Sequence, residues 1–391
     1  MDQALNASFS TSGVVQRRSH GVAVSSFVQA AIQQSTVKTY PPEKIYPRLA
    51  SQPWASQWRS AAAALSLLLL AYSNSAAAVA PLNYLTSAGT KADIILPLTW
   101  GVLTISISVV VIITILTLLA VARHRTAAGN AITAAPHDTD ASRWLYIGVG
   151  ISTLVLLVSL LWTIRVLAHV NTPAQAAMTI EITAQQWWWK VRYLSDDPSR
   201  VLITANEIHI PTGKPIRINL IAADVIHSFW VPALAGKTDL IPGQTNVAWL
   251  EADKPGRYRG QCAEYCGVQH AHMAFEVVAE APADFARWFE NQIAPVASTD
   301  AQASNGEKTF EFRCGPCHSV RGTRAGGTAA PDLTHLMTRA SIAAVTLPNN
   351  VGSVSAWIAN PQAIKPGTHM PVLQLSSTEV RDLDAFLLTL H

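Results

Sequence analysis

Gln-Cys-Ala-Glu-Tyr-Cys-Gly-Val-Gln-His-Ala-His-Met, residues 261–273, puts two cysteines, two histidines and a methionine into one short loop. His227 stands upstream in Asp-Val-Ile-His-Ser-Phe-Trp-Val-Pro, 224–232. His227, Cys262, Cys266, His270 and Met273 make a soft donor set of two thiolates, two imidazoles and a thioether, which favours copper over magnesium or calcium. A single blue-copper ion would use one cysteine. A second cysteine four residues on lets both sulfurs bridge two copper ions, and an electron shared across two metals leaves bond lengths nearly fixed on reduction. Cys-x3-Cys alone also fits a disulfide in an oxidising compartment or part of a zinc site. The spaced histidine and methionine, with a further histidine upstream, weigh against both. His272 competes with His270, and spacing selects 270. His169 and His209 belong to no motif and are read as structural.

Around this loop, residues 179–281 carry short β-prone runs at 178–183, 201–210, 216–221 and 247–250, broken by proline and glycine,. They predict a small all-β sandwich or barrel. A short helix is expected over 281–292, with Phe285, Trp288 and Phe289 on one face. A linker rich in Ala, Ser and Thr follows at 294–304. Residues 305–391 show helical periodicity at 306–312 and 378–390 and predict a small helical domain.

That last segment contains Cys314-Gly-Pro-Cys317-His318, the Cys-x-x-Cys-His attachment sequence of c-type haem,. The two thiols add to the vinyl groups, and the histidine supplies the proximal iron ligand. A thioredoxin-like pair would need a βαβ setting, which this short helical tail lacks. Met337 and Met370 are the downstream methionines available as a sixth ligand. Met337 is read as core, and His335 and His369 as surface residues.

Upstream of the β region, 94–122 and 144–164 run without a charge. Each exceeds or meets the roughly 20 residues that a spanning helix needs, so helices are expected at about 94–122 and 144–166. Arg123, Arg125 and Arg143 lie between them, against Lys91 alone before the first, which puts the connecting loop in the cytoplasm and both flanks outside. Residues 1–53 read as a disordered extension. Arg59, an apolar stretch at 61–71 and small residues at 73–80 read as a secretory signal. No cysteine precedes residue 262, so no lipoprotein-type anchor is expected. The chain of 391 residues is 49% hydrophobic and 14% charged with a formal charge of +3, which suits a membrane protein and offers no basic face for a nucleic acid,. The expected domains are 1–80 (extension and signal), 81–170 (helical hairpin), 171–281 (β domain), 282–304 (short helix and linker) and 305–391 (haem domain).

His227 and the 261–273 loop resemble the CuA site of cytochrome c oxidase subunit II, over roughly residues 90–281. Residues 305–391 resemble a class I cytochrome c, the whole being similar to a caa3-like fusion. The resemblance implies a multidomain membrane protein built from a transmembrane α-helical hairpin, a cupredoxin-like β-barrel and a small all-α cytochrome c domain. It implies CuA ligation by His227, Cys262, the Glu264 carbonyl, Cys266, His270 and Met273, and a magnesium ion at the subunit I boundary reached by the Glu264 side chain. Gly-Lys-Thr-Asp at 236–239 and Ile-Pro-Gly at 241–243 match the family's boundary loop. In Gln-Trp-Trp-Trp, 186–189, Trp187 corresponds to the tryptophan that accepts electrons, and Met370 in Lys-Pro-Gly-Thr-His-Met-Pro matches the distal haem ligand. Two departures stand out. Lys190, Arg192 and Ala223 lie where relatives served by a soluble basic cytochrome carry acids. Ala141 lies about where many carry a glutamate at a proton-channel entrance.

The implied role is electron entry from haem c through CuA to subunit I, which reduces oxygen to water and pumps protons. The implied partners are subunits I and III and an external donor, cytochrome c or a cytochrome bc complex. The implied location is the bacterial inner membrane, multi-pass, with both cofactor domains on the periplasmic side. Alternatives are the electron-input subunit of a CuA-containing nitric-oxide reductase and a membrane-anchored electron carrier. Nitrous-oxide reductase would need a second copper domain for which this chain has no room, and quinol-oxidase relatives lack the copper ligands.

Overall fold

The computed structural model describes residues 82–127, 139–170, 175–295 and 301–391. The expected extension and signal segment and the loop at 128–138 lie outside the described residues. So do the side chains of Arg125 and Ala141. Two long helices come first, α1 (Thr90–Ala127) and α2 (Thr139–Val170). Both are long and apolar enough to cross a membrane, and none of their apolar windows is covered by the rest of the described chain. They lie against each other. A Cβ on Gly101 would sit 2.5 Å from the Trp162 ring, so glycine lets that indole seat on the α1 backbone,.

The β region forms two five-stranded sheets. The first contains β1 (Met178–Gln185), β2 (Trp188–Tyr193), β3 (Leu202–Ala205), β5 (Ile216–Ala222) and β8 (Asn246–Leu250), in the order β3-β2-β1-β5-β8. The second contains β4 (Glu207–Pro211), β6 (His227–Trp230), β7 (Thr238–Leu240), β9 (Gly256–Cys262) and β10 (Ala274–Glu280), in the order β4-β10-β9-β6-β7. Alternating side chains of β1 and β5 point inward: Ile180, Ile182, Ile216, Ile218 and Leu220 are fully buried with Trp189, Val191 and Phe275,. The single run expected at 201–210 is two strands, one in each sheet. Asn206 sits between them at φ 61, and its side-chain Oδ1 accepts from the Trp189 amide. Asparagine tolerates this left-handed conformation and supplies its own acceptor, so the chain can leave one sheet and join the other.

α3 (Pro282–Ile293) then packs Phe285, Trp288 and Phe289 on this core; Trp288 stacks on His209 at 4.0 Å, and Tyr193 sits beside Trp288 and Phe289. His209 is buried between Glu207, at 2.9 Å, and Glu280, at 3.1 Å, and Arg257 reaches Glu207 at 2.7 Å.

The last domain is helical, with α4 (Ala301–Arg313), α5 (Val351–Ala359), α6 (Pro361–Ile364) and α7 (Ser377–Leu387). The linker expected through 304 is shorter, because α4 already begins at Ala301. Ala303 is buried there, giving this turn both helix propensity and a packing face,. The capping box of Ser376 and Glu379 starts α7,. α4 crosses α7 at Gly306, where a Cβ would lie 1.9 Å from the Asp382 carbonyl oxygen. Phe310, Leu383, Phe386 and Leu387 close the core around that crossing. His335, expected on the surface, is buried instead and bonded at 2.6 Å to the His391 carbonyl and 2.9 Å to that of Ala294. Each ring nitrogen thus faces a main-chain carbonyl, and whichever carries the proton donates to one,.

Two stability predictions follow from this packing. Gly306→Ala should cost about 1–3 kcal/mol or more in the helical domain, since the obstruction is backbone; thermal unfolding followed by far-ultraviolet dichroism of the full chain would detect it. Burial would raise the Glu207 carboxyl, but the His209 bond and charge, aided by Arg257, hold it at about 2, below its ordinary 4.5. Burial would lower His209, but Glu207 and Glu280 hold it above its ordinary 6.5. The carboxylate's contribution is present above pH 4.5 and lost as pH falls towards 2. That of the imidazolium is present below pH 6.5 and lost as pH rises through its raised pKa. The cluster therefore stabilises most between about pH 4.5 and 6.5, and Glu207→Gln should flatten that maximum in melting temperature measured against pH.

Candidate metal centre and haem attachment site

β6 opens with His227, β9 ends at Cys262 and β10 begins at Ala274, so the loop 263–273 is pinned at both ends by strands. The Cys262 amide donates to the Met273 carbonyl at 3.0 Å, closing the loop, and the Ala263 amide donates to Ser228 at 3.0 Å, tying it to β6. Within the loop the two sulfurs lie 3.7 Å apart, far beyond the roughly 2.05 Å of a disulfide,.

Each sulfur has its own imidazole. His227 Nδ1 is 3.8 Å from Cys262 Sγ, and His270 Nδ1 is 3.6 Å from Cys266 Sγ. The Glu264 carbonyl oxygen lies 3.2 Å from Cys262 Sγ, and Met273 Sδ lies 3.7 Å from Cys266 Sγ. The ligand atoms of His227, Cys262 and Cys266 all fall within 4.8 Å of one another, and all three residues are buried. Donors thus flank the sulfur pair on two sides, an arrangement that fits two metals sharing the sulfurs better than one ion at a single centre. His272, the rival of His270, turns away and binds Gln269 Oε1 at 2.7 Å.

The Cys266 thiol pulls Cys262 well below the ordinary thiol range, with His227 adding to this, while ionisation of Cys262 pushes Cys266 up. His227 Nε2 lies 2.8 Å from Asp224 Oδ1. With Nε2 donating to that carboxylate, Nδ1 keeps its lone pair for the sulfur side. Asp224 is itself fixed by the amides of Gln186 and Val225, both at 2.7 Å. Burial raises this carboxyl, but the bonds from His227 and the two amides win and hold it below its ordinary value. Asp224 three residues before His227 was the available sequence signal for this role.

Trp187 is buried and donates through Nε1 to the Cys266 carbonyl at 3.0 Å; Gln186 Nε2 donates to the same oxygen at 2.8 Å. Trp189 is fully buried beside Phe275, Phe229 and His227. The Glu264 side chain is half exposed and faces Lys237 at 3.8 Å, which also reaches Asp239 at 3.2 Å. Arg192 pairs with Glu181 at 3.5 Å.

In the helical domain, α4 runs out directly into the Cys-x-x-Cys-His turn. The Cys317 and His318 amides both donate to the Cys314 carbonyl, at 3.0 and 2.9 Å, which sets the two thiols one turn apart. His318 Nδ1 bonds the Pro331 carbonyl at 2.7 Å. Nδ1 must donate to a carbonyl, so Nε2 is the nitrogen left to bind a metal. Burial lowers the His318 pKa, disfavouring the charged ring. Burial also pushes the Cys314 thiol up to about 11, while Cys317 is exposed. A Cβ on Gly327 would lie 2.4 Å from the Cys317 backbone, so the following loop closes directly on the motif. Met370 ends a loop stapled by Gln362 Nε2, which donates to the Thr368 and Met370 carbonyls at 2.6 and 2.9 Å. Met337 packs against the domain core. The His369 ring lies 5.2 Å from that of Trp187. Lys365, in the same loop, drew no assignment from sequence; it is buried, with its ammonium against backbone carbonyls.

Residues 192–281 match the family model for the periplasmic domain of cytochrome c oxidase subunit II, and residues 303–391 match that for cytochrome c. Cytochrome c oxidase subunit 2 of Alkalihalophilus pseudofirmus is 40% identical over 214 residues, 54% of this chain and 60% of that one. The subunit of the same name from Bacillus sp. (strain PS3) is 33% identical over 227 residues, 54% of this chain and 62% of that one. The chain therefore spans about three-fifths of the length of these curated relatives. Among solved structures, the periplasmic domain of subunit II of cytochrome oxidase from Bradyrhizobium japonicum is 33% identical, with 31% of this chain and 96% of that one aligned and a TM-score of 0.29. The matches thus give this chain a domain similar to the periplasmic domain of cytochrome c oxidase subunit II at 192–281, followed by a domain similar to cytochrome c at 303–391.

Proposed function

We propose that the chain is the electron-entry subunit of a membrane-bound haem–copper cytochrome c oxidase. It would be anchored by α1 and α2 as a multi-pass protein of the bacterial inner membrane, with both cofactor domains on the periplasmic side. It would work with subunits I and III and accept electrons from a cytochrome c or cytochrome bc complex. The observation that carries this reading is the two-sided donor cluster about Cys262 and Cys266. His227, Cys262, the Glu264 carbonyl, Cys266, His270 and Met273 would hold a binuclear copper centre. Cys314, Cys317, His318 and Met370 would hold a covalent haem c. When bound, these groups supply one-electron centres that change little in geometry as they cycle.

The chain's own residues do the rest. Asp224 fixes the His227 ring so that one nitrogen faces the sulfurs, and the Pro331 carbonyl does the same for His318. Burial of Cys262, Cys266, Met273 and His227, sealed by Trp189, Phe229 and Phe275, excludes water and keeps reorganisation small,. Trp187 joins the Cys266 carbonyl on one side to the His369 ring on the other, and so offers a short path between the two domains. The Glu264 carboxylate, with Asp239 close by, would take a magnesium ion at the subunit I boundary once Lys237 turns away.

The purified membrane complex should consume oxygen with a reduced donor; nitric-oxide consumption without oxygen uptake would reject the oxidase assignment. Cys266→Ser should remove both coppers by metal analysis while leaving the haem-stained band of this chain intact. Asp224→Asn should keep the haem and weaken copper retention roughly 10–100-fold in chelator competition, because the imidazole loses its orienting carboxylate.

A further inference from the structure

Lys365 is 3% exposed, yet no carboxylate among the described residues is bonded to it. Its Nζ meets three backbone carbonyls: Trp187 at 3.0 Å, His272 at 2.9 Å and Ala343 at 3.4 Å. An ammonium has three donors and no acceptor, so this cage satisfies it completely. Two of the three acceptors, and the two shorter bonds, belong to the copper-domain side. Separated from that domain, Lys365 would keep only the long contact to Ala343 and would need water for the rest, since a buried cation without acceptors is costly. Its position makes sense only with the haem domain docked.

The neighbouring contacts agree. Gln269, itself buried and oriented by His272, donates through Nε2 to the Pro366 carbonyl at 2.6 Å. Three residues further on, His369 lies against Trp187. A second patch closes the far side of the same seam. Ala340 N donates to Glu207 Oε2 at 3.1 Å, Gln292 Nε2 to Thr338 at 3.0 Å, and Arg321 to the Ile293 carbonyl at 2.7 Å.

We infer that Lys365 is a positioning residue that latches the cytochrome domain onto the copper loop and holds the Met370-bearing loop against Trp187. The fused haem is thus kept at one fixed station on the copper domain, where a loose tether would let it visit and leave. Trp187, only 6% exposed, lies beneath this seam, so its ring is already occupied by the chain's own domain. The inference rests on the function proposed above, because the latch matters for electron delivery only if both centres are present.

The test uses the full chain in its membrane complex. Lys365→Met keeps the aliphatic stem and removes every donor. Amide exchange in 361–372 and 186–189 should rise roughly tenfold or more, from the loss of charge-assisted bonds. Haem and copper content, their spectra and the haem midpoint potential should stay as in the parent. Reduction of the haem by the external donor should be unchanged, while the following haem-to-copper step slows about tenfold as the docked population falls. Gln269→Ala, on the opposite side of the seam, should reproduce the exchange signature. Exchange and the intramolecular step both within about twofold of the parent in Lys365→Met would overturn the latch. So would loss of haem from Lys365→Met with Gln269→Ala indistinguishable from the parent, since Lys365 would then serve only the cytochrome fold. A parent chain lacking copper or haem would instead remove the function proposed above.

Discussion

The placement of two unlinked thiols 3.7 Å apart inside a loop closed by strands at both ends governs the rest of this molecule. A buried pair of sulfurs would oxidise to a disulfide or repel on ionisation unless its surroundings prevented both. The β9–β10 pairing spaces them, and each faces an imidazole. The aromatic wall of Trp189, Phe229 and Phe275 keeps the cluster dry. The two sheets exist, in functional terms, to hold this loop stiff; that is why its donors come from β6, from the end of β9 and from the loop itself.

Much of this was legible before any coordinates. The donor residues and the haem motif are local in sequence, and charge-free stretches of helical length announce themselves. The runs at 178–183, 216–221 and 247–250 have the alternation or β-branched content of half-buried strands, and strands form there. β9 has no clear apolar period in Gly-Arg-Tyr-Arg-Gly-Gln-Cys: its outer face carries Arg257 and Arg259, and its inner face alternates glycine with Tyr258 and Cys262, Gly260 making room for Phe275. The split at Asn206 was hidden because a left-handed asparagine looks like any polar residue in an otherwise β-prone run.

The seam between the domains was the least readable part, and for one reason. Its acceptors are backbone carbonyls far away in the chain, 178 and 93 positions from Lys365. A lysine in a loop with Pro and Gly is usually solvated, and nothing in its neighbours signals otherwise. His335 misled in the same way: both of its partners, the carbonyls of Ala294 and His391, are main-chain atoms without a sequence signature. Such polar seams contrast with the aromatic anchoring of α3, whose Phe285, Trp288 and Phe289 spacing was visible at once.

Gly367, within the Met370 loop, has φ 84, and a Cβ there would lie 2.9 Å from Val268 Cγ2. The backbone at Gly367 thus runs close against Val268, with little room there for a methyl group. A larger residue would strain the left-handed backbone at this position and press on the Val268 side chain across the gap between the two domains,. The fit at this point therefore depends on side chains as well as main chain: Val268 opposite Gly367, with Lys365 and Gln269 beside it.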